Sequence, residues 1–170
     1  MNQRPASSEH DPYYERYISL VQGDDVLWTL RSQLVEMKSL LTALPPQKET
    51  FRYAEGKWSV RQLVGHVIDS ERIFGYRALA LARGEQASLP GFDEKVYMEN
   101  APFAEVPLSD LWKEFEALRT ANILMLEKFR AEDWARIGIA NDNRISTRAI
   151  AYVLAGHAQH HVQVLKERYL

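Results

Sequence analysis

From Asp24 to Leu44, apolar side chains recur at Leu27, Leu30, Leu34, Met37, Leu41 and Leu44, in steps of 3, 4, 3, 4 and 3. That spacing lays one stripe along a helix packed in a bundle. Pro45 and Pro46 stop it, because proline lacks the N–H that a helix interior needs. A second helix opens at Ser59, whose hydroxyl can cap the first turn while Gln62 reaches back, with Trp58 as an apolar lead-in. It runs through Leu63, Val67, Phe74 and Leu81 to a stop near Gly84. Ser109 is placed to cap a third helix, carrying Leu111, Phe115, Leu118, Asn122, Met125 and Phe129 on its stripe. The last helix, Thr147 to Tyr169, lines up Ile150, Leu154, His157, His161 and Val164. Asn122 and the two histidines stand where apolar residues are expected.

The remaining segments differ in kind. Residues Glu85 to Pro107 hold three prolines, aromatics and acids in an irregular stretch, ASLPGFDEKVYMENAPFAEVP. A connection this long is usually functional, and Phe92, Tyr97 and Phe103 make it a candidate wall or lid. IGIANDNRIS, Ile137 to Ser146, alternates weakly around an Asn-Asp-Asn turn, compatible with a short hairpin. Residues 1–23 form an arm whose Tyr13, Tyr14, Tyr17, Ile18, Leu20 and Val21 can dock on the bundle or on a second subunit; residues 24–170 form a single domain. Four long amphipathic segments without a repeat predict an all-α four-helix bundle.

Composition narrows the function classes. With 46% hydrophobic and 26% charged residues the chain reads as globular. A net charge of −2 and pI ≈ 6.2 argue against nucleic acid as a partner. No apolar run is long enough to span a membrane, and the first residues carry no secretory h-region. There is no cysteine, hence no thiol nucleophile of the chain's own, and a cytoplasmic location is expected. GxGxxG, P-loop and GxSxG motifs are missing.

The histidines change the picture. His157 and His161 lie four apart on one helix and can aim their rings at one point. His66 leans from the second helix into the same interior, whereas His160 turns about 100° away and His10 has no partner by spacing. Three converging neutral imidazoles with an open position make a catalytic type of divalent-metal site; the alternative is hydrogen-bonded core histidines. Around them, Asp69 can orient a ligand ring, act as a base, or be a surface acid. Arg77 can anchor an anionic substrate or a carboxylate such as Asp69, or reach solvent. Asn122 can hydrogen-bond a ligand or metal-bound water, or pair helices.

The stretches YAEGKWSVRQLVGHVIDSERIFGYRALALARGE, LPGFDE, LRTANILMLEKF and ISTRAIAYVLAGHAQHHVQVLKERY resemble the DinB-like superfamily, which includes the YfiT-like metal-dependent hydrolases. The most specific parts are W-S-x-x-x-x-x-G-H and the terminal G-H-x-x-H-H. The resemblance runs from about Leu27 to the C-terminus. It implies a bundle holding a divalent metal on His66, His157 and His161, the same three that spacing selects. It also implies a homodimer and, as one activity, thiol-dependent S-transfer with a low-molecular-weight thiol such as bacillithiol or mycothiol. The expectation is a metal-dependent transferase or hydrolase acting on a small molecule, with zinc or nickel preferred and iron or copper compatible with imidazole. A non-catalytic metal- or small-ligand-binding stress-response protein is the alternative.

Overall fold

The computed structural model describes residues 3–170. Along them the chain forms α1 (Glu15–Ile18), α2 (Val26–Ala43), α3 (Val60–Ala82), α4 (Glu94–Asn100), α5 (Leu108–Leu126), α6 (Ala131–Ala135), the strands β1 (Ile137–Ala140) and β2 (Asn143–Ser146), and α7 (Thr147–Arg168). The long helices α2, α3, α5 and α7 make the four-helix bundle. Three of them begin where the sequence supplies an acceptor for an orphan N–H. Asp25 accepts from Trp28, Ser59 and Gln62 close a capping box, and Ser146 accepts from Ala149.

The fourth start differs from expectation. Pro107, not Ser109, is the N-cap of α5 and has no side-chain acceptor. Glu49, in the connection after α2, accepts from Leu108 N at 3.4 Å while Arg61 holds the same carboxylate at 2.7 Å. The segment between α3 and α5 is also less irregular than its prolines suggest. Asp93 accepts from Lys95 and Val96 and thereby starts α4.

Packed neighbours run α2, α5, α3, α7 and back to α2. Helices α2 and α3, consecutive in sequence, therefore stand on a diagonal, as do α5 and α7. Residues 44–59 and 127–146 supply the chain for those two crossings. The second crossing contains the β1–β2 hairpin, turned by Asn141 and Asp142 with φ of 52° and 60°, both left-handed as a two-residue hairpin turn requires. One edge of the hairpin takes Asp11 N onto Arg144 O; the other takes Leu89 N onto Ile139 O. Tyr14, Ile18 and Val21 of the N-terminal arm are buried, and α1 packs on α7.

The interior divides into two apolar clusters, one around Leu30, Phe74, Ile123 and Leu154, the other around Leu41, Leu63, Phe115 and Leu165. On each of the four helices the change of cluster coincides with buried polar side chains: Gln33 on α2, Ser70 and Glu71 on α3, Arg119 on α5, His157 on α7. A polar belt thus crosses the bundle at mid-height. No helix among the described residues is long and apolar enough to cross a membrane.

Candidate metal centre

His66 on α3 and His157 and His161 on α7 bring their side-chain nitrogens within 4.8 Å of one another. His157 Nε2 lies 3.1 Å from His66 Nε2 and 3.2 Å from His161 Nε2. A neutral ring nitrogen offers either one N–H or one lone pair. His157 Nε2 therefore cannot satisfy both neighbours, and three lone pairs pointing at a shared cation is the arrangement that does. Four-coordinate zinc at 2.0–2.1 Å would set ligand nitrogens ~3.3 Å apart, so the donor set fits a divalent ion. His161 Nδ1 is buried with no hydrogen-bond partner among the described residues.

The electrostatics agree. Burial pushes His66 down to about 4, with the charge of His160 adding to it. Burial also holds His157 and His161 well below the ordinary imidazole value, each helped by the neighbouring histidines. All three rings are neutral at pH 7, the form that donates a lone pair.

A glycine precedes a histidine in each half of the site. An added Cβ at Gly65 would sit 2.2 Å from the Phe103 ring, and at Gly156 it would sit 2.0 Å from the backbone oxygen of Tyr17. Both glycines let another segment lie directly against the helix that carries the histidine. Tyr17 and Phe74 flank His157, at ring separations of 5.4 and 5.7 Å, and Trp58 lies 4.9 Å from His66. Phe103 is thus a core anchor rather than a lid residue. Phe92 and Tyr97 pack on each other at 5.4 Å.

The other expected residues divide. His160 is exposed on the flank of the cluster. His10 is buried elsewhere, with Nδ1 3.0 Å from Asp11 O and Nε2 3.5 Å from Glu15. Asp69 is half-buried; its charged neighbours are Arg72 and Glu114, and burial raises its pKa. It faces α5 and stays outside the histidine group. Asn122 donates to Glu71 Oε1 at 2.8 Å, so it pairs helices.

Behind the cluster lies a network that the spacing of apolar residues does not reveal. Arg119, fully buried, donates to both Glu71 oxygens at 2.9 and 2.8 Å and to Gln33 Oε1 at 2.7 Å. Gln33 Nε2 in turn donates to Ala155 O at 2.8 Å, two residues before His157. All four bundle helices meet in this network.

Two cavities meet the cluster from different sides. The larger, about 630 Å³, is lined by His161, His160, Trp58, Tyr53, Lys57 and Lys95, among others. The smaller, about 100 Å³, reaches His66 and His157 and is bounded by Ser70, Phe74, Arg77 and Phe92. Glu94 on α4 lines both. Ser70 and Glu94 were open to discovery in the sequence, Ser70 because it lies one turn beyond His66 on the same stripe.

Comparison with known proteins gives consistent results. Residues 29–165 match the profile of the DinB superfamily. A protein of Oceanobacillus iheyensis, provisionally named as a metal-dependent hydrolase, is 28% identical over 116 residues. That match covers 67% of this chain and 66% of the relative, just under two thirds of the relative's length. Among solved structures, YfiT from Bacillus subtilis, described as a probable metal-dependent hydrolase with an unusual four-helix bundle topology, superposes with a TM-score of 0.74 at 20% identity. It covers 96% of this chain and 89% of that one. The mycothiol-dependent maleylpyruvate isomerase superposes with a TM-score of 0.66 at 10% identity, over 85% of this chain and 59% of that one. These superpositions show a shared fold.

Proposed function

The chain belongs to the DinB superfamily, and from that premise we propose that it is a divalent-metal-dependent enzyme that joins a low-molecular-weight thiol, through its sulfur, to a small electrophilic molecule. His66, His157 and His161 would hold the ion, with zinc or nickel the best match to three imidazoles. When bound, such an ion supplies a Lewis acid that keeps a thiol or water deprotonated at neutral pH.

The observation that carries this reading is the pair of cavities meeting at the histidines. A hydrolase needs room for one organic substrate. A transferase needs two, and here a cavity of about 630 Å³ suits a thiol of cofactor size while a cavity of about 100 Å³ suits a short electrophile. Trp58 and Tyr53 give the larger cavity aromatic walls, and Lys57 and Lys95 offer cationic donors for an anionic or polar thiol. Phe74 and Phe92 make an apolar wall in the smaller one, excluding water from the reacting atoms. Glu94 is the carboxylate that borders both cavities, and on this reading it takes up the proton released as the thiol binds.

The test is a conjugation screen using glutathione, bacillithiol, mycothiol and coenzyme A with chlorobimane-type and maleyl electrophiles. Metal-loaded, metal-stripped and His161→Ala proteins are compared. Turnover that requires both a thiol and the metal supports transfer. Turnover of esters or amides with no thiol dependence establishes the hydrolase instead, and tight metal binding with neither reaction leaves a ligand-binding protein.

A further inference from the structure

His66, Ser70, Phe74 and Arg77 follow one another at steps of 4, 4 and 3 along α3, a single stripe, and all four line the narrow cavity that ends at the histidines. At 1.5 Å per residue the Cα atoms of His66 and Arg77 lie about 16 Å apart along the axis, so the two residues mark opposite ends of one slot. Two features of the slot stand out.

Arg77 is only 4% exposed, yet among the described residues no carboxylate pairs with it. Its Nη2 donates to Pro90 O at 2.6 Å, its guanidinium lies 5.7 Å from the Phe74 ring centre, and the neutral Tyr14 phenol stands close enough to interact with it. A buried cation without an anion is costly and is normally paired. The second feature is Ser70, fully buried, whose Oγ has no hydrogen-bond partner among the described residues. An unpartnered buried hydroxyl carries a similar penalty. One planar anion between the two would relieve both. The other bundle arginine with comparable burial, Arg119, already has such a partner in Glu71.

We propose that this slot is a carboxylate subsite, in which Arg77 and Ser70 bind the carboxylate of the small substrate and so place its reactive carbon beside His66 and His157. The assignment rests on the metal-enzyme reading above for its catalytic meaning, but the binding site itself does not need the metal. A guanidinium fork matches a carboxylate in plane, the hydroxyl adds one donor, and a volume of about 100 Å³ admits a short acid rather than a phosphate ester. Phe74 and Phe92 suit an apolar or unsaturated stem between its two ends. Glu94 also borders the slot, but it is exposed and lies on α4, where it disfavours a second negative charge on the substrate outside the Arg77 end.

The test uses metal-loaded and metal-stripped protein, each titrated with butyrate, its neutral isostere butyramide, and inorganic phosphate. Calorimetry and amide NMR shifts along residues 66–77 are the readouts. Butyrate should bind saturably to both forms, and butyramide at least about tenfold more weakly, as expected for loss of a charge-assisted hydrogen bond. Arg77→Met should weaken butyrate by a further factor of about ten or more. Because Arg77 also holds Pro90 O, Ser70→Ala is the sharper variant. It removes a hydroxyl with no partner, so the fold should be no less stable while butyrate affinity falls about threefold to tenfold. Equal binding of butyrate and butyramide, tighter phosphate binding, or unchanged butyrate affinity in Ser70→Ala would each overturn the proposal. Metal content is read on the same samples. Butyrate binding by a protein that takes up no metal even after loading upholds the subsite and sinks the metal-enzyme reading; metal uptake without butyrate binding does the reverse.

Discussion

Replacing Arg119 by methionine tests the belt that joins the four helices. The side chain of Arg119 is wholly buried and makes three charge-assisted hydrogen bonds, two to Glu71 and one to Gln33. Removing it strands the Glu71 carboxylate, 2% exposed, in an apolar interior, which costs about 3–5 kcal/mol. Glu71→Leu combined with Arg119→Met removes both charges and leaves only Gln33 Oε1 and one Asn122 donor without a partner. Each buried orphan costs about 1–3 kcal/mol, but Gln33 Oε1 is orphaned in the single variant as well and Asn122 is only half-buried, so the double variant should be more stable than the single one. Adding Gln33→Met, which removes the first orphan, should bring the triple variant to within about 1 kcal/mol of wild type. Urea unfolding followed by circular dichroism at pH 7 measures all three, with equal slopes required for the comparison. If Arg119→Met is no less stable than the double variant, the pair is not desolvated as described and the argument from burial fails.

Three further outcomes are expected. His66→Ala, His157→Ala and His161→Ala should each lose bound metal by plasma mass spectrometry of untagged protein, while His160→Ala and His10→Ala keep about one ion per chain; loss from His160→Ala alone would overturn the assignment of the rings. In the metal-free protein, His66 titrates near 4 when folded and near 6.5 when unfolded. The unfolded chain therefore binds more protons between those values, and stability falls as pH drops through that window, by about 2 kcal/mol from this residue at pH 5. His66→Gln should show a correspondingly shallower loss in urea midpoints, and an identical pH profile would refute the shift. Gly156→Ala should destabilise by about 1–3 kcal/mol and make the N-terminal arm more sensitive to protease, because the new methyl would collide with the Tyr17 carbonyl; an unchanged cleavage rate would contradict that contact.

The histidine cluster was legible because its signal is geometric. Residues 157 and 161 stack on any α-helix, and a second ring needed only to lean inward from a neighbour. The hairpin was legible for a similar reason, since Asn141 and Asp142 tolerate the left-handed backbone their turn requires. The belt was not. The apolar stripe of α5 reads as continuing from Phe115 to Leu118 and Asn122, but the buried face passes through Arg119 and Ile123. A fully charged side chain at a core position becomes tenable only with Glu71 on another helix, and apolar periodicity carries no information about that partner. The same holds for Asp69, which lies three residues from His66 yet turns toward Glu114, and for Pro107, whose missing cap comes from Glu49 far along the chain.

The histidines come from the second and the last of the four bundle helices, His66 and His157 being 91 residues apart. An ion shared between them would act as a cross-link closing more than half of the chain into a loop. In the loop-entropy treatment used for covalent staples, closing a loop of that length removes about 4–5 kcal/mol of freedom from the unfolded ensemble. A chain with no cysteine cannot form a disulfide. The same three rings would then give it a staple that is reversible and adjustable by metal supply, so that chelation should act on the durability of the fold as well as on its chemistry.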